Sequence, residues 1–301
     1  MTIEAKVIAD SIADGCKRIT TMQLRYPRFI HAEFMTHRVF SRNASSSRAI
    51  PIERMIEDIK RDPALPVRWG INGRGMQDHG EMRISDQEWC QDVWLNARDE
   101  AIKQVEMYLR SPIQPHKQIV NRLLEPWMHI NVLVTSTDWN NFFHLRCHKD
   151  AQPEIKVLAD RMYEAMQGST PELKKIGEWH LPYITEDDKF EADAWLTFNG
   201  PDLSEEEHKW EYYQVVLKMS TARCARVSYL THEMKKPSIE ADLKLYDRLM
   251  GSQPVHASPA EHQATPDHLT LRYSGNFLTW SQHRKFLEGE NLELKEYKTD
   301  E

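Results

Sequence analysis

Apolar and polar positions divide the chain into stretches with different periods. Residues 19–34, ITTMQLRYPRFIHAEF, are rich in β-branched and aromatic side chains and partly alternate in polarity, which predicts strands on both sides of the Tyr26-Pro27 interruption. Ser85-Asp86-Gln87-Glu88 has the form of a capping box, and Trp89, Val93, Ala97, Ala101, Val105 and Leu109 follow at intervals of four, the spacing of a helix. Residues 130–135 are β-rich and read as a strand or a buried helix end. Asp150 is placed to cap a helix with apolar Ile155, Leu158, Ala159, Met162 and Met166, ending near Gly168. A second capping box, Ser204 to Glu207, opens a helix through Trp210, Tyr213, Leu217 and Ala222. Ser238 caps one more, with Ile239, Leu243, Tyr246 and Leu249 on one face and Gly251 beyond its end.

Between these stretches, residues 169–203 carry Pro, Gly and Asp clusters among aromatics and read as a long ordered loop. The acidic residues 291–301 read as a frayed tail. No short repeat and no Gly-rich GxGxxG turn occurs, so mixed strands and capped helices point to α+β rather than a doubly wound sheet.

Composition narrows the function classes. With 301 residues, 40% hydrophobic and 28% charged, the chain is expected to fold around a substantial core. Its net charge of −7 argues against a general nucleic-acid binder, whose affinity comes from neutralising phosphates. No apolar run is long enough for a membrane span and the N-terminus lacks a signal-peptide pattern, so a cytoplasmic protein is expected, in the host cytoplasm if viral. Cys16, Cys90, Cys147 and Cys224 are far apart and form no CxxC pair, and no histidine pair shows ligand spacing together with cysteines or carboxylates in a helix, so neither disulfides nor a metal are expected.

Residues 36–51, THRVFSRNASSSRAIP, hold the densest set of polar donors. His37, Arg38, Arg42 and Arg48, with Asn43 and Ser46, supply guanidinium forks, an amide and hydroxyls of the kind that bind phosphate or a flavin pyrophosphate. A solvated Ser/Arg loop is equally compatible with that composition alone.

The spacing favours the binding loop. His37-Arg38, seven residues, then Ser46-x-Arg48 resembles the arginine motif of the flavin-dependent thymidylate synthase family. A second block, NNFFHLRCHKDAQPEIK at 140–156, is similar to that family's Asn-x-x-x-Leu-Arg and Ala-Gln-x-Glu-Ile-Arg segment, and is preceded by Arg122 and Pro126 in NRLLEP. Further blocks, RCARVSY at 223–229, ADLKLYDRL at 241–249 and HASPAEH at 256–262, resemble segments that precede the arginine motif in the family. Here they follow it, the order a circular permutation would give, with a fused partial repeat as the alternative.

The resemblance implies one catalytic domain over 1–301, with a mostly antiparallel sheet flanked by helices: 1–167 for the arginine motif and nucleotide, 168–203 as the loop, 204–290 as the permuted flavin-binding part, then the tail. It implies conversion of dUMP to dTMP with FAD, NADPH and methylenetetrahydrofolate, in homotetramers whose active sites lie between subunits. Arg146 is implied as the catalytic residue on the pyrimidine ring, and Glu33, Ser46, Arg48, Arg122 and Arg146 as nucleotide contacts. His37, Arg38, Asn43, Asn141, Ser228 and His256 are implied as flavin contacts.

Three positions depart from the motif: Thr36 stands for an Arg, Ala44 for a Glu and Glu33 for a Gln. A carboxylate accepts but does not donate unless protonated, and suits the amino group of cytosine better than the carbonyl of uracil. A dCMP-directed methylase or a pyrimidine nucleotide C5 hydroxymethylase is therefore an alternative within the same chemistry. A catalytically silent flavin- or nucleotide-binding protein is the alternative from another class.

Overall fold

A computed structural model describes residues 3–113, 115–227, 236–252, 254–269 and 272–290. Its main sheet contains β1 (Glu4–Ala13), β2 (Ile19–Pro27), β3 (Ser41–Ala44), β4 (His129–Ser136) and β5 (Glu172–Lys174), in the order β3-β4-β2-β1-β5. β4 pairs antiparallel with β2, from Thr20 opposite Ser136 to Pro27 opposite His129, and antiparallel with β3, where Asn43 faces Leu133. β1 and β5 pair in parallel. The α+β class with a mostly antiparallel sheet flanked by helices is what the sequence predicted.

The chain forms two compact units, one of Met1–Ile8, Thr20–Thr170 and Arg226–Glu233, the other of Ala9–Ile19, Pro171–Ala225 and Met234–Glu301. In the first unit, Met22, Leu24 and Tyr26 of β2 and Ile130, Val132 and Val134 of β4 turn alternate side chains into a core closed by Ile155, Leu158 and Met162 of α6 (Pro153–Gln167). α6 begins after Gln152, not Asp150, because Pro153 takes the first helical position, where its missing N–H is needed by no partner. Beyond Pro27 the expected second strand is absent. A 3₁₀ turn at Arg28–Ile30 leads into α1 (His31–Met35), and the fully buried Ile30 and Phe34 stand four apart, a helical spacing.

A second core forms where α2 (Ile52–Arg61) and α3 (Ile84–Arg110) bring Met55, Ile59, Ile102 and Val105 against Trp127. The short α4 (Lys117–Val120) and α5 (Asn140–Arg146) frame β4 in sequence. α3 starts one residue ahead of Ser85, with Arg83 as its N-cap and no side-chain cap; Asp86 is held by the Arg83 guanidinium at 2.9 Å. Of the period-four set only Val105 is fully buried, while Trp89 and Val93 are exposed. A strict four-residue interval gains about 40° per step on a 3.6-residue helix, so such a set winds off the buried face.

The second unit contains α7 (Glu186–Asn199), α8 (Glu205–Arg226) and α9 (Ile239–Met250), with the ribbon β6 (Ala264–Pro266) and β7 (Trp280–Gln282). Residues 169–203 are therefore not a loop throughout: they hold β5 and α7. The start of α7 was missed because its capping box uses Asp188, not Glu or Gln; the Thr185 hydroxyl accepts from Asp188 N, and the Asp188 carboxylate accepts from Thr185 N at 2.8 Å. The capping box of Ser204 with Glu207 and the Ser238 cap form as predicted. Buried Arg223 of α8 reaches Asp188 of α7 and Asp242 of α9, each at 2.9 Å, so its charge is matched from both neighbouring helices. No helix among the described residues is long and apolar enough to cross a membrane.

Candidate active site

The arginine motif begins on the turn between α1 and β3, which carries His37 and Arg38, and continues beyond β3 to Ser46 and Arg48. Arg42 shapes that turn: its Nη1 donates to Met35 O at 3.0 Å and His37 O at 3.3 Å. Sequence reasoning gave Arg42 no role, and its partners are main-chain oxygens that no motif spacing reveals. Thr36, which replaces a family Arg, donates from its hydroxyl to Glu33 O at 2.7 Å and so closes the last turn of α1.

His37 is buried against Phe40 and Phe142. Its Nε2 accepts a hydrogen bond from Arg146 Nε at 3.0 Å, which places the ring proton on Nδ1. Burial, and the charges of Arg146 and Arg42, hold its pKa below the ordinary histidine value and so favour the neutral acceptor form. The first and second motif blocks, distant in sequence, therefore meet at this pair. With Nε committed to His37, both terminal nitrogens of Arg146 stay available for a ligand.

Ser46 and Arg48 occupy the next turn. Buried Asn121 fixes it by donating from Nδ2 to Ser47 O at 2.7 Å and Ile50 O at 2.9 Å. Glu125 Oε1 then accepts from the Ser47 hydroxyl at 2.6 Å, from Arg122 at 2.9 Å and from Arg28 at 3.1 Å. Arg122 is thereby tied to the turn that presents Ser46 and Arg48. Arg48 is exposed and makes no ion pair among the described residues, which suits it to an incoming anion.

A cleft of about 960 Å³ is lined by Glu33, Trp94, Arg146 and Lys149 together with residues of a glycine-rich hairpin, 66–78. Ser46, Arg48 and Arg122 are not among its lining residues. The predicted nucleotide contacts thus form two groups, Glu33 with Arg146 and Ser46 with Arg48 and Arg122. The hairpin was not singled out from sequence, although RWGINGRGMQDHG carries a visible signal in its glycines. Met82 N donates to Trp69 O at 3.0 Å and Ile71 N to Gly80 O at 2.8 Å, and Arg68 pairs with Asp78 at 2.6 Å. A Cβ at Gly70 would stand 2.3 Å from the Asp78 Cβ, and Gly75 turns at φ +105°, so neither position tolerates a side chain as built. Glu154, buried in the AQPEIK segment, holds the hairpin's root: its Oε1 accepts from Val67 N at 2.8 Å and its Oε2 from Gln152 at 2.7 Å.

Of the predicted flavin contacts, Arg38 and Asn141 are exposed and make no side-chain hydrogen bond among the described residues, while Asn43 is buried on β3. The exposed donors of Arg38 and Asn141 fit the chemistry of a dinucleotide's phosphates. His256 is exposed in the second unit, and Ser228 lies outside the described residues. Among the described residues no group of His, Cys, Asp and Glu is placed to hold a metal ion, and every described cysteine is a free thiol.

Comparison with known proteins adds the following. Two solved structures similar to this chain are those of the UMP/dUMP methylase PolB from Streptomyces cacaoi, bound with 5-Br dUMP and with 5-Br UMP. Each is 17% identical over 55% of this chain, covering 90% and 89% of the respective methylase chains, with TM-scores of 0.45 and 0.47. No curated protein matches. A family model described as thymidylate synthase complementing protein matches residues 18–172, a span that runs from β2 to β5 and takes in the arginine motif, Arg122 and the His37–Arg146 pair. That span is just over half of the 301 residues, and the chain belongs to the thymidylate synthase complementing protein family.

Proposed function

We propose that the protein is a flavin-dependent thymidylate synthase, which methylates dUMP at C5 to give dTMP with methylenetetrahydrofolate as one-carbon donor and NADPH as reductant. The observation that carries this reading is Arg146, held by neutral His37 at the wall of a cleft wide enough for a nucleotide. A guanidinium fixed there stabilises negative charge on the pyrimidine's ring nitrogen and carbonyl oxygen, the electron-rich form in which C5 is nucleophilic. Ser46, Arg48 and Arg122 would take the phosphate, and His37, Arg38, Asn43 and Asn141, with Ser228 and His256, the flavin. FAD, when bound, supplies the redox chemistry, and the chain's residues bind, orient and balance charge. No cysteine or serine nucleophile paired with a base enters the scheme.

Ser46, Arg48 and Arg122 stand apart from the cleft lining, and this supports a homotetramer in which one subunit's phosphate turn completes another subunit's cleft. The late position of RCARVSY, ADLKLYDRL and HASPAEH supports a circular permutation of the family order. A second reading, a dCMP-directed methylase or a hydroxymethylase, is favoured by one observation: the Glu33 carboxylate lines the cleft and makes no side-chain hydrogen bond or ion pair among the described residues. Mass spectrometry of products from dUMP and from dCMP, each with FAD, NADPH and methylenetetrahydrofolate, tests both. Formation of dTMP from dUMP is expected. Turnover of dCMP alone would overturn the leading reading, and a hydroxymethyl product would establish the second. Failure of dUMP to stimulate NADPH oxidation would leave a protein that only binds.

A further inference from the structure

The glycine-rich hairpin is the one wall of the cleft with no part in the scheme above. Asn72 and Gln77 line the cleft from this hairpin, are exposed, and make no side-chain hydrogen bond among the described residues. The other uncharged polar side chains on the cleft wall are already engaged: the Trp94 indole donates to Ala64 O at 3.0 Å and the Gln152 amide to Glu154 at 2.7 Å. Asn72 and Gln77 therefore offer two uncommitted amides, uncharged groups that both donate and accept. A pyrimidine presents such an edge, with a ring nitrogen flanked by exocyclic groups. The hairpin that carries them is also built to hold position, through the Arg68–Asp78 pair and the bond from Val67 N to Glu154.

We propose that the hairpin is the base-reading wall of the site, with Asn72 and Gln77 hydrogen-bonding the pyrimidine of the nucleotide that Arg146 faces. This rests on the nucleotide reading of the cleft given above, and it adds the residues that set base specificity. The test is calorimetric binding of dUMP and of dCMP to the full chain loaded with FAD, for the parent, for the double variant Asn72→Ala/Gln77→Ala and for Arg74→Ala. Arg74 sits on the same hairpin but does not line the cleft, and each of these side chains is exposed, so folding is not at stake. The double variant is expected to lose about tenfold in dUMP affinity and to change the ratio of dUMP to dCMP affinity, as two neutral hydrogen bonds lost to water would require. Arg74→Ala is expected to bind as the parent does. Parent-like affinity and ratio in the double variant would overturn the proposal, as would equal losses in both variants, which would show an effect of the hairpin's shape or charge. A parent that bound neither nucleotide would overturn the underlying reading of the cleft.

Discussion

At the residue scale, the bond from Arg146 Nε to His37 Nε2 makes one side chain's position depend on another's protonation. Replacing Arg146 with Ala removes the cation from the cleft wall, and turnover is expected to fall by at least ~10² while the fold is retained, as assayed by dTMP formation alongside circular dichroism. His37 has its pKa lowered by burial and by the two arginines, so its neutral form persists below the ordinary value of 6.5. Nucleotide affinity is therefore expected to stay level from pH 8 to about 6.5 and to fall only at lower pH, where a protonated ring can no longer accept from Arg146. Calorimetry across that range checks this, and a loss beginning above the ordinary histidine pKa would contradict it. Glu33→Gln adds a donor to the cleft and is expected to raise kcat/KM for dUMP relative to dCMP by about tenfold.

At the scale of elements, Glu154 shows how a motif residue serves structure. Glu154→Ala leaves Val67 N without its acceptor and is expected to cost about 1–3 kcal/mol of local stability, read as faster tryptic cleavage at Arg74. The parts of the fold that were legible in the sequence were those with a local chemical signature: the Ser204 and Ser238 caps, the buried face of α6, and the β-rich run that became β4. α1 and α7 were missed because their signals conflict with the simplest rules. α1 is only five residues long and follows a proline, and α7 is capped through an aspartate. At the candidate site, the resemblance to the family's motif blocks singled out His37 and Arg146, which the structure brings together. That resemblance could not find Arg42, which binds main-chain oxygens, or the 66–78 hairpin, whose contribution to a cleft depends on tertiary folding.

For the whole molecule, histidines withdrawn from solvent contribute to the response to acid. Burial lowers His31, His129 and His283 to about 4 and His180 and His262 to about 3, from an ordinary 6.5. For each, the unfolded chain takes up a proton first as pH falls. Stability is then fully present above pH 6.5 and is lost progressively as pH drops from there through 4 and towards 3. Thermal melts at steps between pH 7.5 and 4 are expected to show Tm constant at the upper end and falling below 6.5; a Tm that rose on acidification would contradict the assignment. The division into two units has its own consequence for synthesis. Residues 9–19, the second half of β1 and the turn into β2, belong to the second unit, whose next segment begins only at Pro171. During translation this early piece leaves the ribosome long before the chain it packs with, and completes its part of the structure only after residues 20–170 have been made.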